Sequence, residues 1–421
     1  MHAAESIPWY AGAPFVLLLL LIALLPLATP HFWEKNRNKA ILVALVSTPI
    51  LIYLIGDHPH ELIHTLKDYV SFIVLLASLF IISGGILMTG DVRATPGIIV
   101  AFLAVGAVLA NFIGTTGASM VLIRPILRTI SERKNIGHIP VFFIFTVSNI
   151  GGCLTPLGDP PLFLGYLKGV PFTWTFNLFP EWIITIGVVL LVFYLIDRAA
   201  YRRELPEDIL WDKVHVFKIA IEGKRNFLFL IGVIAAIALQ VPAGWREMIM
   251  IAMTLLSLIF TPTDLRQRNR FSYHPITEVA VLFIGIFITM VPLLMILHLK
   301  GAEFGITRPW QFFWLTGILS SFLDNAPTYL TFFSLAQGVT ETLHAGAHAV
   351  AGVEVGLLKA ISCGAVFMGA NSYIGNGPNF MVKSIAEEQK VKVPHFFGYM
   401  AYSAMILFPI YALMTFIFFR G

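Results

Sequence analysis

Long apolar runs alternate with short charged loops along the whole chain. The uninterrupted or nearly uninterrupted runs are 13–29, 40–55, 69–88, 140–168, 179–197, 226–241, 246–261, 276–297, 353–385 and 394–419. A membrane helix needs about 20 mostly apolar residues, somewhat fewer in a dense bundle, so each run predicts a span. Two further stretches, 97–130 and 309–338, are apolar at both ends but broken in the middle by small and polar residues. Each fits either a full span or a re-entrant hairpin. The pattern predicts an all-α polytopic membrane protein with about ten transmembrane helices.

Loop charge arbitrates between the two options, because Lys and Arg concentrate in cytoplasmic loops. With 97–130 and 309–338 as hairpins, one face collects 21 of the 28 Lys and Arg and the other 6, with Lys359 left inside a span. If those stretches span, and 140–168 and 353–385 are hairpins instead, the split weakens to 17 against 10. The first arrangement is therefore expected. Both termini then lie in the periplasm, and the first hairpin enters from the cytoplasm. Each half contains three helices, a hairpin, a broken helix and a last helix. Five crossings is an odd number, so the second half is inverted relative to the first. The expected units are a first repeat over 1–200, a cytoplasmic linker over 201–225, and a second repeat over 226–421. The run 13–29 has no Lys or Arg before it, whereas Lys35, Arg37 and Lys39 follow it. This is the reverse of a secretory leader, and a retained helix is expected.

Composition supports lipid as the solvent. The chain of 421 residues is 57% hydrophobic and 12% charged, against roughly 25% charged in soluble domains. Its basic residues sit in short loops and form no continuous face, which argues against nucleic-acid binding. Cys153 and Cys363 fall in apolar helical sequence and need not pair. No G-x-x-x-x-G-K-[ST] run is present, so nothing supports ATP-driven transport. No nucleophile, base and orienting group share a motif, so no enzyme is expected and no cofactor is implied.

The polar interruptions carry the chemistry. Asn111-Phe-Ile-Gly-Thr-Thr-Gly117 is followed by Ser148-Asn-Ile-Gly-Gly-Cys-Leu-Thr-Pro-Leu-Gly-Asp-Pro-Pro161. In the second half, Leu323-Asp-Asn-Ala-Pro-Thr328 is followed by Gly369-Ala-Asn-Ser-Tyr-Ile-Gly-Asn-Gly-Pro-Asn379. Opened backbone survives at membrane depth only where protein buries it or a wet cavity takes it up. Paired breaks in corresponding places of two halves point to a transporter's binding site near the midplane. Helix N-termini at such breaks favour anions, and C-terminal carbonyls favour cations. Gly114, Gly117, Pro156, Pro160, Pro161, Pro327, Gly375, Gly377 and Pro378 shape the turns. Asn111, Thr115, Thr116, Asn149, Thr155, Gly158, Asn325, Thr328, Asn371, Ser372, Asn376 and Asn379 offer hard oxygen donors suited to Na⁺ or Li⁺, and no transition-metal site is expected. Asp159 and Asp324 are the two acids at this depth, where an ionisable group is a functional candidate. A carboxylate out of water accepts either a proton or a cation, and that competition is the basis of antiport. Asp324 also reads as a helix N-cap, and Asp159 as a turn-stabilising group.

Other polar residues carry less weight. Lys359 either reaches the site or extends to the interface. Glu181, Glu247, Glu278 and Glu354 are expected at span ends. His58, His60 and His64 are expected in a solvated periplasmic loop.

The four segments together resemble the ion transporter superfamily, which includes divalent-anion/sodium symporters, arsenite permeases, citrate transporters and NhaD-type sodium/proton antiporters. Gly151-Gly-Cys-Leu-Thr-Pro-Leu-Gly-Asp-Pro-Pro161 is similar to the family's first break, and Asn376-Gly-Pro-Asn379 to its second. Leu323-Asp-Asn-Ala-Pro327 is similar to the hairpin of NhaD-like and citrate-transporter-like members. The resemblance implies a homodimer of elevator type in a bacterial inner membrane, with Asn111, Thr115, Thr155, Asp324, Asn325 and Asn376 near the ion sites. The chain departs from the dicarboxylate symporters, which carry Ser-Asn-Thr at both tips. It also has Leu162 where an Asn is usual, and Asp159 where a small hydroxyl is commoner. Two acids would repel a polyvalent carboxylate by on the order of a few kcal/mol unless cations neutralise them. The leading expectation is therefore a Na⁺(Li⁺)/H⁺ antiporter. The alternative is a symporter of citrate or its metal complex, and a non-transporting membrane subunit ranks below both.

Overall fold

A computed structural model describes residues 7–205, 207, 218–343 and 348–420. Within the predicted linker, 206 and 208–217 lie outside the described residues. The chain is 78% helical. In order, the helices are α1 Ala13–Ala28, α2 Pro30–Trp33, α3 Asn36–Asp57, α4 Pro59–Ser83, α5 Pro96–Thr129, α6 His138–Thr146, α7 Pro160–Leu167 and α8 Phe179–Tyr201. They continue with α9 Arg225–Ala238, α10 Trp245–Phe260, α11 Thr263–Arg268, α12 His274–Lys300, α13 Pro309–Phe322, α14 Asn325–Leu343, α15 Val355–Met368, α16 Gly377–Glu388 and α17 Phe396–Phe418. The only extended pieces among the described residues are two short antiparallel pairs. Leu87–Thr89 pairs with Ala220–Glu222, and Ala349–Val350 with Val353–Glu354.

Among the described residues, seven segments are long and apolar enough to cross a membrane. Three apolar helices, over 138–154, 225–238 and 355–371, are shorter. The outward side chains of the bundle are aliphatic: Leu45 is 72% exposed, Ile259 71% and Leu228 67%. Water would penalise this surface by about 25 cal/mol per Å². Lipid does not, so the apolar girdle defines a polytopic membrane protein.

Helix α5 is not straight. Gly114 has φ 75° and ψ 154°, a conformation open to glycine and costly for other residues. At the ends of the helix, Arg128 donates to Gly90 O and Arg133 to Ala94 O. A straight helix of 34 residues would hold its ends about 50 Å apart, so the chain doubles back at Gly114. Helices α13 and α14 double back in the same way across Leu323 and Asp324. The rings of Phe312 and Phe332, one in each, lie 6.3 Å apart.

Two other helices are opened rather than folded back. After α6 the chain passes through a 3₁₀ turn, Ile150–Leu154, and an extended stretch before α7. After α15 it passes through Gly369–Asn371 and an extended stretch before α16.

Some polar residues lie elsewhere than the pattern suggests. Helix α4 begins ten residues before the apolar run at 69, so His60 and His64 stand on its first turns rather than in a loop. Their rings are 4.6 Å apart. Glu181 is not interfacial: its side chain is 2% exposed and accepts from Lys359 Nζ at 3.0 Å. Lys359 is thereby paired with Glu181 rather than with Asp159. Glu354 caps α15 through the N–H groups of Gly356 and Leu357, and Glu278 pairs with buried Lys39 at 2.6 Å. Glu247 accepts from Arg246 and from Gly244 N–H.

Candidate functional site

The two halves close their breaks by one scheme. In the first half, Asn111 ends the first limb of α5. Its carbonyl accepts from Thr155 Oγ1 at 2.5 Å, and its amide donates to Gly151 O at 2.7 Å. In the second half, Ser321 ends α13. Its carbonyl accepts from Ser372 Oγ, and its hydroxyl donates to Met368 O at 3.1 Å. Four residues after each anchor stands a donor to the same carboxylate, Thr115 and Asn325. Gly158 and Gly375 occupy matching places. A Cβ on Gly375 would stand 2.6 Å from Gly369 O, and one on Gly158 would strike Gly152 O harder still. Only glycine permits that crossing of backbones.

All four breaks meet at Asp159. Its backbone has the extended conformation of an N-cap to α7, yet its side chain makes no cap bond. The carboxylate turns inward instead. Oδ1 accepts from Thr115 Oγ1 at 2.7 Å and from Asn376 Nδ2 at 3.1 Å, and Oδ2 accepts from Asn325 Nδ2 at 2.5 Å. Thr115 and Asn325 come from the two folded-back elements, and Asn376 from the opened helix of the second half. Asp159 is 1% exposed. Among the described residues it has no Lys, Arg or His ion-pair partner. A network of amides extends the cluster. Asn376 donates to Asn149 Oδ1 at 3.2 Å, and Asn149 donates to Asn379 Oδ1 at 2.7 Å. Asn379 in turn donates to Gly369 O and Ser372 O, both at 2.8 Å. Asn325 Oδ1 is buried with no hydrogen-bond partner, an acceptor left over beside the carboxylate.

The remaining candidates make no hydrogen bond to Asp159 among the described residues. Asp324 is half-buried, and its Oδ1 accepts from Ala326 N–H at 3.0 Å. Its carboxylate is a turn cap at the start of α14, and Asn325, not Asp324, reaches Asp159. Thr328 donates back to Asp324 O. Asn371 donates to Ser321 Oγ, and Gly117 packs against Ser83. Thr116 is half-buried beside Thr115. Pro160 and Pro161 open α7, Gly377 and Pro378 open α16, and Pro327 lies in the first turn of α14. Pro156 sits in the turn that Gly158 N–H closes on Thr155 O at 3.0 Å. Ser321 escaped the sequence analysis, although its four-residue spacing to Asn325 repeats that of Asn111 to Thr115.

An uncharged polar cage around a lone buried acid, built from interrupted helices in a lipid-facing bundle, is the construction of a membrane transporter. The family model described as "Putative citrate transport" matches residues 4–419. The chain belongs to that family, within the ion transporter superfamily. No curated protein matches the chain.

Proposed function

We propose that the protein is a secondary active transporter of citrate, coupled to a proton or small cation held at Asp159. The observation that carries this reading is the convergence of all four breaks on one carboxylate that lacks a positive partner. A charge removed from water without compensation costs several kcal/mol. A proton, Na⁺ or Li⁺ would neutralise it, and Asn325 Oδ1 stands free to complete a cation's shell. Limbs beginning at Thr115 and Asn325 direct helix N-termini, the ends that favour anions, toward the same place. Limbs ending at Asn111 and Ser321 bring C-terminal carbonyls, the ends that favour cations. Each half therefore offers both polarities, which suits co-transport of an anion with its coupling ion.

The second acid, Asp324, was the main obstacle to an anionic cargo. Its carboxylate accepts from Ala326 N–H as a cap; the cap does not cancel its charge, and a coupling cation or proton bound beside Asp159 would offset the repulsion that remains. The inverted arrangement draws support from the ion pairs. Arg133–Asp197, Arg268–Glu222 and Arg270–Glu388 join residues at ends assigned to the cytoplasm, whereas Lys168–Asp68 and His298–Glu341 join residues at ends assigned to the periplasm. In this reading the moving part is an elevator-type transport domain in a homodimer.

The test is uptake of labelled citrate into proteoliposomes under imposed H⁺ or Na⁺ gradients, with and without Mg²⁺. Gradient-driven accumulation is expected. Absence of uptake under every gradient would remove the reading. Na⁺(Li⁺)/H⁺ antiport is the second reading, and one observation favours it: no cationic side chain among the described residues bonds to the cluster to hold a tricarboxylate. Sodium-dependent dequenching of a pH dye without citrate would establish it.

A further inference from the structure

A cavity of about 540 Å³ lies away from the Asp159 cluster, between two loops from different halves of the molecule. The last turn of α5 contributes Arg128, and the loop that follows it contributes Arg133 and Lys134. The other follows α16 and contributes Lys390 and Lys392. No Asp or Glu lines it. The acids nearby are engaged except Glu132, whose Oε2 is buried without a hydrogen-bond partner and whose one charge is outweighed by the three cations Arg128, Lys390 and Lys392. Asp197 holds Arg133 and His138, and Glu204 takes the N–H groups of Lys134 and Asn135. Glu387 pairs with Lys383, and Glu388 with Arg270. Glu132 belongs to the first loop but does not line the cavity.

Helix C-termini attract cations, and both α5 and α16 end here. Two such ends supply about one unit of negative charge between them. Setting Asp197 against Arg133 and Glu204 against Lys134 still leaves Arg128, Lys390 and Lys392, which form no ion pair among the described residues. The surplus is positive. A second observation points the same way. Arg133 is 6% exposed and lines the cavity, and its Nε is buried without a hydrogen-bond partner. A buried N–H left unpaired costs about 1–3 kcal/mol, and an anionic oxygen in the cavity would relieve it.

We propose that this cavity binds a phosphate- or carboxylate-bearing polyanion, and that the bound anion ties together the two helices whose far ends reach Asp159. The second limb of α5 starts at Thr115, and α16 starts beside Asn376. Each runs about 20 Å from the cluster to the cavity. Basic pockets at the cytoplasmic rim of membrane bundles suit anionic phospholipid head groups. A soluble polyanion has the same chemistry, and the two sources separate by experiment.

The purified full chain in neutral detergent is heated while its intrinsic fluorescence reports unfolding. Phosphatidylglycerol, phosphatidylcholine and pyrophosphate are added in separate arms, to the wild type and to Lys390→Gln/Lys392→Gln. Phosphatidylglycerol is expected to raise the midpoint by several degrees, phosphatidylcholine to leave it unchanged, and the double variant to need about 25-fold more lipid, fivefold per lysine. A shift from pyrophosphate alone, lost in the variant, would assign the site to a soluble anion. Equal shifts in variant and wild type, or none from either anion, would overturn the proposal. Arg128→Gln, on an exposed side chain, serves as the second variant. Asp159→Asn should keep the lipid-induced shift, so failure of the citrate reading leaves this result legible.

Discussion

In the first break, Thr155 ties to Asn111 and Asn111 to Gly151. In the second, Ser372 ties to Ser321 and Ser321 to Met368. The backbone is opened in the same way twice, but the group that ends each opened stretch differs. Asp159 stands in the first, and Asn376 occupies the matching place in the second, where it donates to Asp159 at 3.1 Å. The anchors differ likewise. Asn111 satisfies both Gly151 O and Leu154 N–H, whereas Ser321 spans its gap with Asn371 as an auxiliary. The teaching is that a doubled scaffold does not require doubled chemistry. Geometry is conserved between the halves, and charge is placed in one of them.

The sharpest way to break this comparison is to exchange the two end groups. Asp159→Asn should lower gradient-driven uptake at least a hundredfold, about 2.7 kcal/mol of lost driving interaction, in protein that still elutes as a monodisperse species. Asp159→Asn/Asn376→Asp returns one carboxylate to the cage from the other side. Recovery to within about tenfold of wild type would show the halves to be interchangeable, and no recovery would show that side matters.

Alanine at the crossing glycines comes next. Gly158→Ala forces a methyl group into Gly152 O and should cost about 3 kcal/mol or more. Gly375→Ala, with more room, should cost less. Thermal unfolding midpoints of the two variants decide, and the reverse order would refute the packing argument. Among the anchors, Asn111→Ala leaves Leu154 N–H unpaired and Gly151 O with Trp182 Nε1 alone, and should lose about 2 kcal/mol, against about 1 for Ser321→Ala. The smallest effect is expected at Asp324→Ala, about 1 kcal/mol of cap energy. Uptake in that variant should stay within a few fold of wild type, and its loss would restore Asp324 to the ion pathway.

How far sequence alone reaches differs between these groups for a physical reason. The runs 40–55, 179–197 and 276–297 appear as helices Asn36–Asp57, Phe179–Tyr201 and His274–Lys300, because apolar length and loop charge are local quantities. The interruptions were visible for the same reason: Gly, Pro and Asn are conspicuous in apolar sequence. Partner choice is not local. Whether Asp324 turns to its own Ala326 N–H or to the cage depends on where α7 and α16 lie. Lys359 meets Glu181 only because the fold brings together two positions 178 residues apart in the chain. The first turns of α4 carry His60, Glu61 and His64, polar residues that hide a helix from any hydropathy reading.

A carboxylate with three donors and no cation also constrains the empty protein. In the elevator reading, exposing the cage on the opposite side of the bilayer would carry the bare charge with it, and an uncompensated buried ion costs several kcal/mol. Loaded with one positive ion, the same cage would move with the Asp159 charge cancelled. Asp159 would thus act as a brake on idle excursions as well as a socket, so that a carrier without its ion stays where it is and the gradient does not drain through it.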